Sequence, residues 1–144
     1  MPVIEKSALL PYSAEQMFTL VNDVESYPEY MGGCVSVTLL NDSDNILEAE
    51  LVLGKAGLKY AFTTRNILEP NKSMEMQLVE GPFKKFEARW SFDALREDAC
   101  KTSLYMVFEF SSGLVDFALR SLFESVSNNL VAAVCERAEV IYGK

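Results

Sequence analysis

The chain has 144 residues and 16.1 kDa, 49% apolar and 24% charged, which is the size and composition of one globular domain over residues 1–144 with a core that needs no crosslink or structural metal. Histidine is absent, which removes imidazole as base, nucleophile partner or metal ligand and excludes Ser-His-Asp, Cys-His and most zinc chemistry. Thirteen basic against 21 acidic residues give a net charge of -8, a field that repels phosphate at long range and argues against DNA as a partner.

Val3 to Leu10 reads as a strand closed by Pro11. Met1 to Lys6 shows no basic stretch leading into an apolar one, so no secretory signal is expected and the location expected is cytoplasmic. Ser13 precedes Gln16 by three, the spacing of a capping box, and predicts a short helix with Tyr12 packed on Met17 as a hydrophobic staple. Asn22-Asp23 starts a second helical turn, which Tyr27-Pro28 is expected to disturb because the residue before proline is pushed away from helical dihedrals.

From Gly33 to Ser112 the hydrophobic period becomes two. The runs Cys34–Leu40, Ile46–Leu53, Leu58–Leu68, Ser73–Val79, Lys84–Leu95 and Cys100–Ser111 are separated by turn chemistry such as Asn41-Asp42-Ser43-Asp44-Asn45, Gly54-Lys55-Ala56-Gly57 and Glu80-Gly81-Pro82. Those connections are too short for crossover helices, so consecutive strands pair antiparallel as a meander. Phe86, Ala88, Trp90 and Phe92 share one face, as do Leu104, Met106, Phe108 and Phe110, while the alternate positions are largely polar. One sheet face is therefore wet and the other needs a cover.

The cover is the C-terminal segment. Val115, Leu119, Leu122, Val126, Leu130, Ala133 and Val140 recur at helical spacings and predict one long amphipathic helix reaching Tyr142, about 40 Å in length. Charged residues interrupt it too often for a membrane span. The expected fold class is α+β: a curved antiparallel sheet of about seven strands wrapped around that helix, with two short helices after the first strand.

The inner face then carries Tyr60, Phe62, Met76, Leu78, Trp90, Phe92, Met106 and Phe108, met by Leu119, Leu122, Phe123 and Val126. These side chains either fill the core or line a pocket for a hydrophobic ligand whose polar head meets Thr64, Asn66 or the Tyr27 hydroxyl. Catalytic constellations are thin. Cys34, Cys100 and Cys135 show no Cys-x-x-Cys spacing and lack a histidine base, so a reducing compartment fits best. Glu48 and Glu50 read as a solvated rim, Asp42 to Asn45 lacks the glycine and later glutamate of a calcium loop, and Gly54 to Gly57 lacks phosphate-loop spacing. Lys84-Lys85 with Arg89 is the one basic patch, and a solvated strand face explains it as well as a partner does.

Five segments in order carry a resemblance: Pro11 to Met17, Leu20 to Pro28, Phe62 to Asn66, Gly81 to Lys85 with Trp90-Ser91-Phe92, and Phe108-Glu109-Phe110. Along essentially its full length the chain resembles the RatA and coenzyme Q-binding family of START-like proteins, also labelled oligoketide cyclase or lipid transport proteins. The resemblance implies a helix-grip fold and a cavity between sheet and helix, used by such proteins for lipids, polyketides or quinones. Two positions depart from the family pattern: Met31-Gly32-Gly33-Cys34 replaces a segment that commonly holds proline and predicts a looser loop at the pocket mouth, and Ala88 replaces a glycine and narrows the cavity.

Two functions follow from the resemblance. The first is a non-enzymatic carrier or chaperone for a polyprenyl quinone, most simply ubiquinone, supporting respiration, with contact at the inner-membrane surface and no further cofactor. Pro28 and Phe83 join the lining in this reading, and the ligand tail leaves between the Tyr27-Pro28 and Gly81-Pro82-Phe83 loops. The alternative is an inhibitor that binds the large ribosomal subunit and blocks subunit association, with Arg65, Lys84, Lys85 and Arg89 as candidate contacts. An aromatase or cyclase lacks clear acid-base residues.

Overall fold

The computed structural model describes residues 3–55, 57–111 and 117–143. Seven strands, β1 (Val3–Leu10), β2 (Cys34–Ser43), β3 (Ile46–Lys55), β4 (Leu58–Glu69), β5 (Ser73–Glu80), β6 (Phe83–Arg96) and β7 (Ala99–Phe110), form one antiparallel sheet in the order β1-β7-β6-β5-β4-β3-β2. The six later strands are the expected meander. β1 closes it by pairing with β7, Ile4 opposite Met106 and Leu10 opposite Cys100.

Helix α1 (Ala14–Asn22) starts at the capping box: the Gln16 amide donates to Ser13 Oγ at 3.0 Å, and the Ser13 amide donates to Gln16 Oε1 at 2.9 Å. A 3-10 turn (Val24–Ser26) leads directly into α2 (Tyr27–Tyr30). Here the proline expectation is corrected. Tyr27 keeps helical dihedrals and Pro28 occupies the first turn, where its missing N–H deprives no carbonyl of a partner. The β2–β3 connection also tightens relative to expectation. Pairing continues to Ser43–Ile46, and Asp44 and Asn45 both take positive φ, the two-residue hairpin turn that follows the sheet's twist.

The cover is two helices, not one. α3 (Phe117–Asn128) and α4 (Leu130–Tyr142) are separated at Asn129, whose φ of -101° and ψ of 1° leave the helical well. Polar side chains compete for the backbone here: Asn128 Nδ2 donates to the Glu124 carbonyl and Asn129 Nδ2 to that of Ser125, both at 2.9 Å. Lys6 Nζ from β1 donates to the Asn128 carbonyl at 2.7 Å, placing a cation at the C-terminal end of α3. The predicted helix start at Val115, and the break at Ser112-Gly113 before it, lie outside the described residues. The core sits between the concave sheet face and these helices, with Trp90, Phe108, Met17 and Val134 among its most buried side chains.

Candidate functional site

The concave face of the sheet is where an internal site would lie. Strand alternation points Phe86, Ala88, Trp90 and Phe92 of β6 and Leu104, Met106, Phe108 and Phe110 of β7 inward, all buried. Much of the space between sheet and α3 is filled by phenylalanine: Phe123 lies 4.7 Å from Phe108, 4.8 Å from Phe83 and 6.0 Å from Phe62, centroid to centroid, and Phe83 stacks on Phe110 at 5.2 Å.

The internal cavity that remains measures about 50 Å³ and is lined by Tyr27, Met31, Cys34, Leu51, Leu53, Phe62, Met76, Phe86, Trp90, Met106, Phe123, Val126, Ser127 and Leu130. Ligand pockets for drug-sized molecules run to roughly 300–1,000 Å³. In this conformation the grip is closed on its own side chains.

Of the residues singled out in the sequence, Tyr27, Phe62, Met76, Trp90, Met106, Phe123 and Val126 meet around this cavity. The others lie elsewhere. Phe92 packs edge-on against Phe18 of α1, at 5.7 Å. Phe83 and Phe108 belong to the phenylalanine cluster, Leu119 is buried on α3, and Pro28 is half-buried on α2. Leu78 lines a groove between β5 and β6, while Tyr60 and Leu122 line a groove on the helix side.

The polar positions are placed differently from the expectation. The Tyr27 hydroxyl donates to the Val21 carbonyl, so only its ring is offered to the cavity. Burial pushes this phenol well above its usual range, with Tyr30, Cys34 and Asp23 adding repulsion. Thr64 and Asn66 do not line this cavity but are buried on the same sheet face as Phe62 and Met76: they stand opposite Leu78 and Met76 in the ladder, and Thr64 Oγ1 and Asn66 Oδ1 have no hydrogen-bond partner among the described residues. The cavity also takes Met31, Cys34, Leu51, Leu53, Phe86, Ser127 and Leu130, of which the sequence places Met31 and Cys34 in the loop at the pocket mouth, Phe86 on the inner sheet face and Leu130 on the helix stripe without assigning them to the lining. The alternation Leu47, Ala49, Leu51, Leu53 along β3 was the available signal for two of them.

The mouth of the grip also differs. The Gly81-Pro82-Phe83 loop is shut: a Cβ on Gly81 would lie 2.8 Å from Phe62 Cβ, and the Ser111 amide donates to the Pro82 carbonyl at 2.9 Å. A separate groove lies between α3 and the ends of β3 and β4. It measures about 660 Å³ and is lined by Gly32, Gly33, Gly54, Lys55, Tyr60, Phe117, Ala118, Ser121, Leu122, Ser125, Val126 and Asn129. Val126 lines both this groove and the internal cavity. Its methyl rests on Gly33, where φ is +90° and an added Cβ would fall 2.5 Å from Val126 Cγ2. The segment with the glycine pair, where a looser loop is expected, makes two backbone hydrogen bonds. The Gly54 amide donates to the Gly33 carbonyl at 2.9 Å, and the Cys34 amide to that of Met31 at 3.1 Å.

No described cluster of three acidic or cysteine residues is placed to hold a metal. Desolvation raises all three thiols, Cys34 to about 11, which keeps them protonated and poorly nucleophilic near neutrality. Glu48 is engaged by Arg65, Nη2 to Oε1 at 3.3 Å. Lys84, Lys85 and Arg89 are exposed on the outer sheet surface, but Lys85 stands opposite Glu109 and Arg89 opposite Glu75, so this face is mixed in sign. Among the described residues no helix is long and apolar enough to cross a membrane.

Comparison with known proteins agrees with this architecture. A family profile described as polyketide cyclase / dehydrase and lipid transport matches residues 10–135. The chain is 44% identical over 140 residues to Ribosome association toxin RatA of Pseudomonas aeruginosa, covering 97% of each chain. It is 43% identical over 142 residues to Persistence and stress-resistance toxin PasT of Escherichia coli O6:H1, covering 99% of this chain and 90% of that one. A mitochondrial coenzyme Q-binding protein of Dictyostelium discoideum is 24% identical over 143 residues, 96% of this chain and 70% of the other. The Zhui aromatase/cyclase of a Streptomyces species superposes with a TM-score of 0.81 at 18% identity, covering 99% and 98% of the two chains. A START superfamily protein of Mycobacterium smegmatis superposes with a TM-score of 0.78 at 21% identity, covering 96% and 98%. At those identities the structures speak for the fold alone.

Proposed function

The chain belongs to the polyketide cyclase / dehydrase and lipid transport family, and from that premise we propose that it is a non-enzymatic ribosome-association factor that binds the large ribosomal subunit and hinders its joining to the small one. One observation carries the reading: 43–44% identity over nearly the whole length of this chain and of proteins named as toxins of the ribosome-association and persistence kind, against 24% to a coenzyme Q-binding protein.

The geometry is consistent with a binder of surfaces more than a carrier. A cavity of about 50 Å³ holds no quinone ring without rearrangement, and the protonated thiols supply no nucleophile. Charge also favours one kind of contact over another. Arg65 is paired and the other outer-face cations stand among carboxylates, which opposes an extended rRNA phosphate footprint. On the helical side Glu15, Asp23, Glu25, Glu124, Glu136 and Glu139 are exposed and make no ion pair among the described residues. A basic protein surface of the large subunit fits that distribution better than bare phosphate.

The test is a sucrose-gradient profile of ribosomal subunits incubated with purified protein under joining conditions. The proposal expects fewer joined ribosomes and co-migration of the protein with the large subunit. An unchanged profile with the protein left at the top of the gradient removes it.

A second role, carriage of a polyprenyl quinone or similar lipid in support of respiration, rests on a separate observation. Among the described residues only Val126 lines both the small apolar cavity and the 660 Å³ groove, so an outward shift of α3 would join them into a space of ligand size. Solvent extraction and mass spectrometry of protein from its native host tests it. Empty protein that also fails to take up ubiquinone ends that reading.

A further inference from the structure

The meander is interrupted at one place. β5 and β6 pair from Ser73 opposite Ser91 as far as Gln77 opposite Glu87. A closed hairpin would continue with Leu78, Val79 and Glu80 facing Phe86, Lys85 and Lys84. Instead Leu78 and Glu80 follow β4, opposite Thr64 and Thr63, while Phe83, Lys85 and Phe86 follow β7, opposite Phe110, Glu109 and Phe108. The cause is local. Phe83 turns into the phenylalanine cluster, and Gly81 is pressed against Phe62, so the hairpin tip folds over the end of the grip and the strands part behind it.

The result is a groove of about 650 Å³ lined by residues of β5 and β6 with Tyr105 at its far side. Its lining from Glu75 to Gln77 and from Glu87 to Arg89 is paired, but at the other end Leu78 to Glu80 and Lys84 to Phe86 run without pairing to each other, each stretch holding backbone donors and acceptors at strand spacing. Its rim carries Lys84, Lys85 and Arg89, and none of the three makes an ion pair among the described residues.

We propose that this split between β5 and β6 is a docking site for an extended, acidic peptide segment of a partner protein, which adds a strand to the unpaired edge and places carboxylates against Lys84 and Lys85. Strand addition answers both features: the peptide backbone satisfies the free edge, and the rim selects its charge. Glu75 and Glu87 line the paired part of the same groove, so the peptide's acidic side chains belong beside Lys84 and Lys85 at its unpaired end, and nucleic acid fits less well because bases offer no strand-spaced donors. The inference does not depend on the ribosome reading and fails separately from it.

The experiment uses the full chain and a fluorescent, end-capped peptide of alternating glutamate and valine. Controls are the same peptide with alternate prolines, a lysine-valine peptide and an oligouridylate. Anisotropy should show saturable binding of the first peptide alone, weakened about tenfold or more by Lys84→Glu with Lys85→Glu. Hydrogen exchange gives the independent readout: split-facing amides among Leu78 to Glu80 and Lys84 to Phe86 exchange fast in the free protein and slow when the peptide is bound. The proposal is overturned if these amides are already protected in the free protein, if proline and lysine peptides bind equally well, if the glutamate peptide does not bind, or if only the oligouridylate binds and shares the sensitivity to both charge reversals.

Discussion

Gly33 shows how a single position decides whether the grip is sealed. With φ at +90° and Val126 resting on its α-carbon, Gly33→Ala meets both an unfavourable backbone conformation and a 2.5 Å overlap. It should lower stability by roughly 1–3 kcal/mol in urea denaturation, whereas Gly32→Ala, with open space around its α-carbon, should stay near wild type. Cys34, next in the chain, makes a pH prediction. Its thiol is raised by burial to about 11, above the ordinary value of 9, so the folded state holds the proton more tightly than the unfolded one. That contribution is complete below pH 9 and is lost as pH rises toward 11. Stability should therefore fall over that interval, and Cys34→Ala should flatten the fall; an equally steep decline in the variant would assign it to other groups. At this scale the sequence was readable where alternation applied and unreadable where hydrogen bonding decided. Phe62, Trp90 and Met106 reach the cavity as strand spacing predicts, but nothing in Tyr27-Pro28 announces that the hydroxyl is taken by the Val21 carbonyl.

Among the elements, β7 buries the most side chains, but β6 supplies the central tryptophan, which packs against the cavity. Trp90→Ala should cost about 3–5 kcal/mol and broaden the unfolding transition, because so large a void does not collapse. The helix pair makes a finer prediction. Lys6 donates to the last carbonyl of α3, so Lys6→Met should destabilise by about 1 kcal/mol with β1 still paired to β7. The number of strands and the meander of β2 to β7 were legible because turn residues and period-two alternation recur on a regular spacing, whereas the pairing of β1 with β7 was not announced by any local pattern. The break at Asn129 was not. Its neighbours keep an apolar helical period across it, and the interruption comes from amide side chains bonding back to Glu124 and Ser125. The parting of β5 from β6 was equally hidden, because it depends on where Phe83 finds partners.

For the whole molecule, charge and closure point the same way. The net charge of -8 is unevenly spread, with the outer sheet mixed in sign and the helical side acidic, and the interior is nearly full. The missing histidine and the raised thiols remove imidazole and thiolate from the groups the chain can bring to a ligand or partner. Enlarging the interior provides a check on how far ligand carriage is restrained by packing. Val126→Ala should join the cavity to the groove and raise uptake of an apolar fluorescent probe, while Lys84→Glu with Lys85→Glu should leave that uptake unchanged. The measurement that bears most directly on the central claim is the ribosomal subunit profile with and without added protein. The account predicts a smaller joined peak and protein migrating with the large subunit; a full joined peak at saturating protein would contradict it.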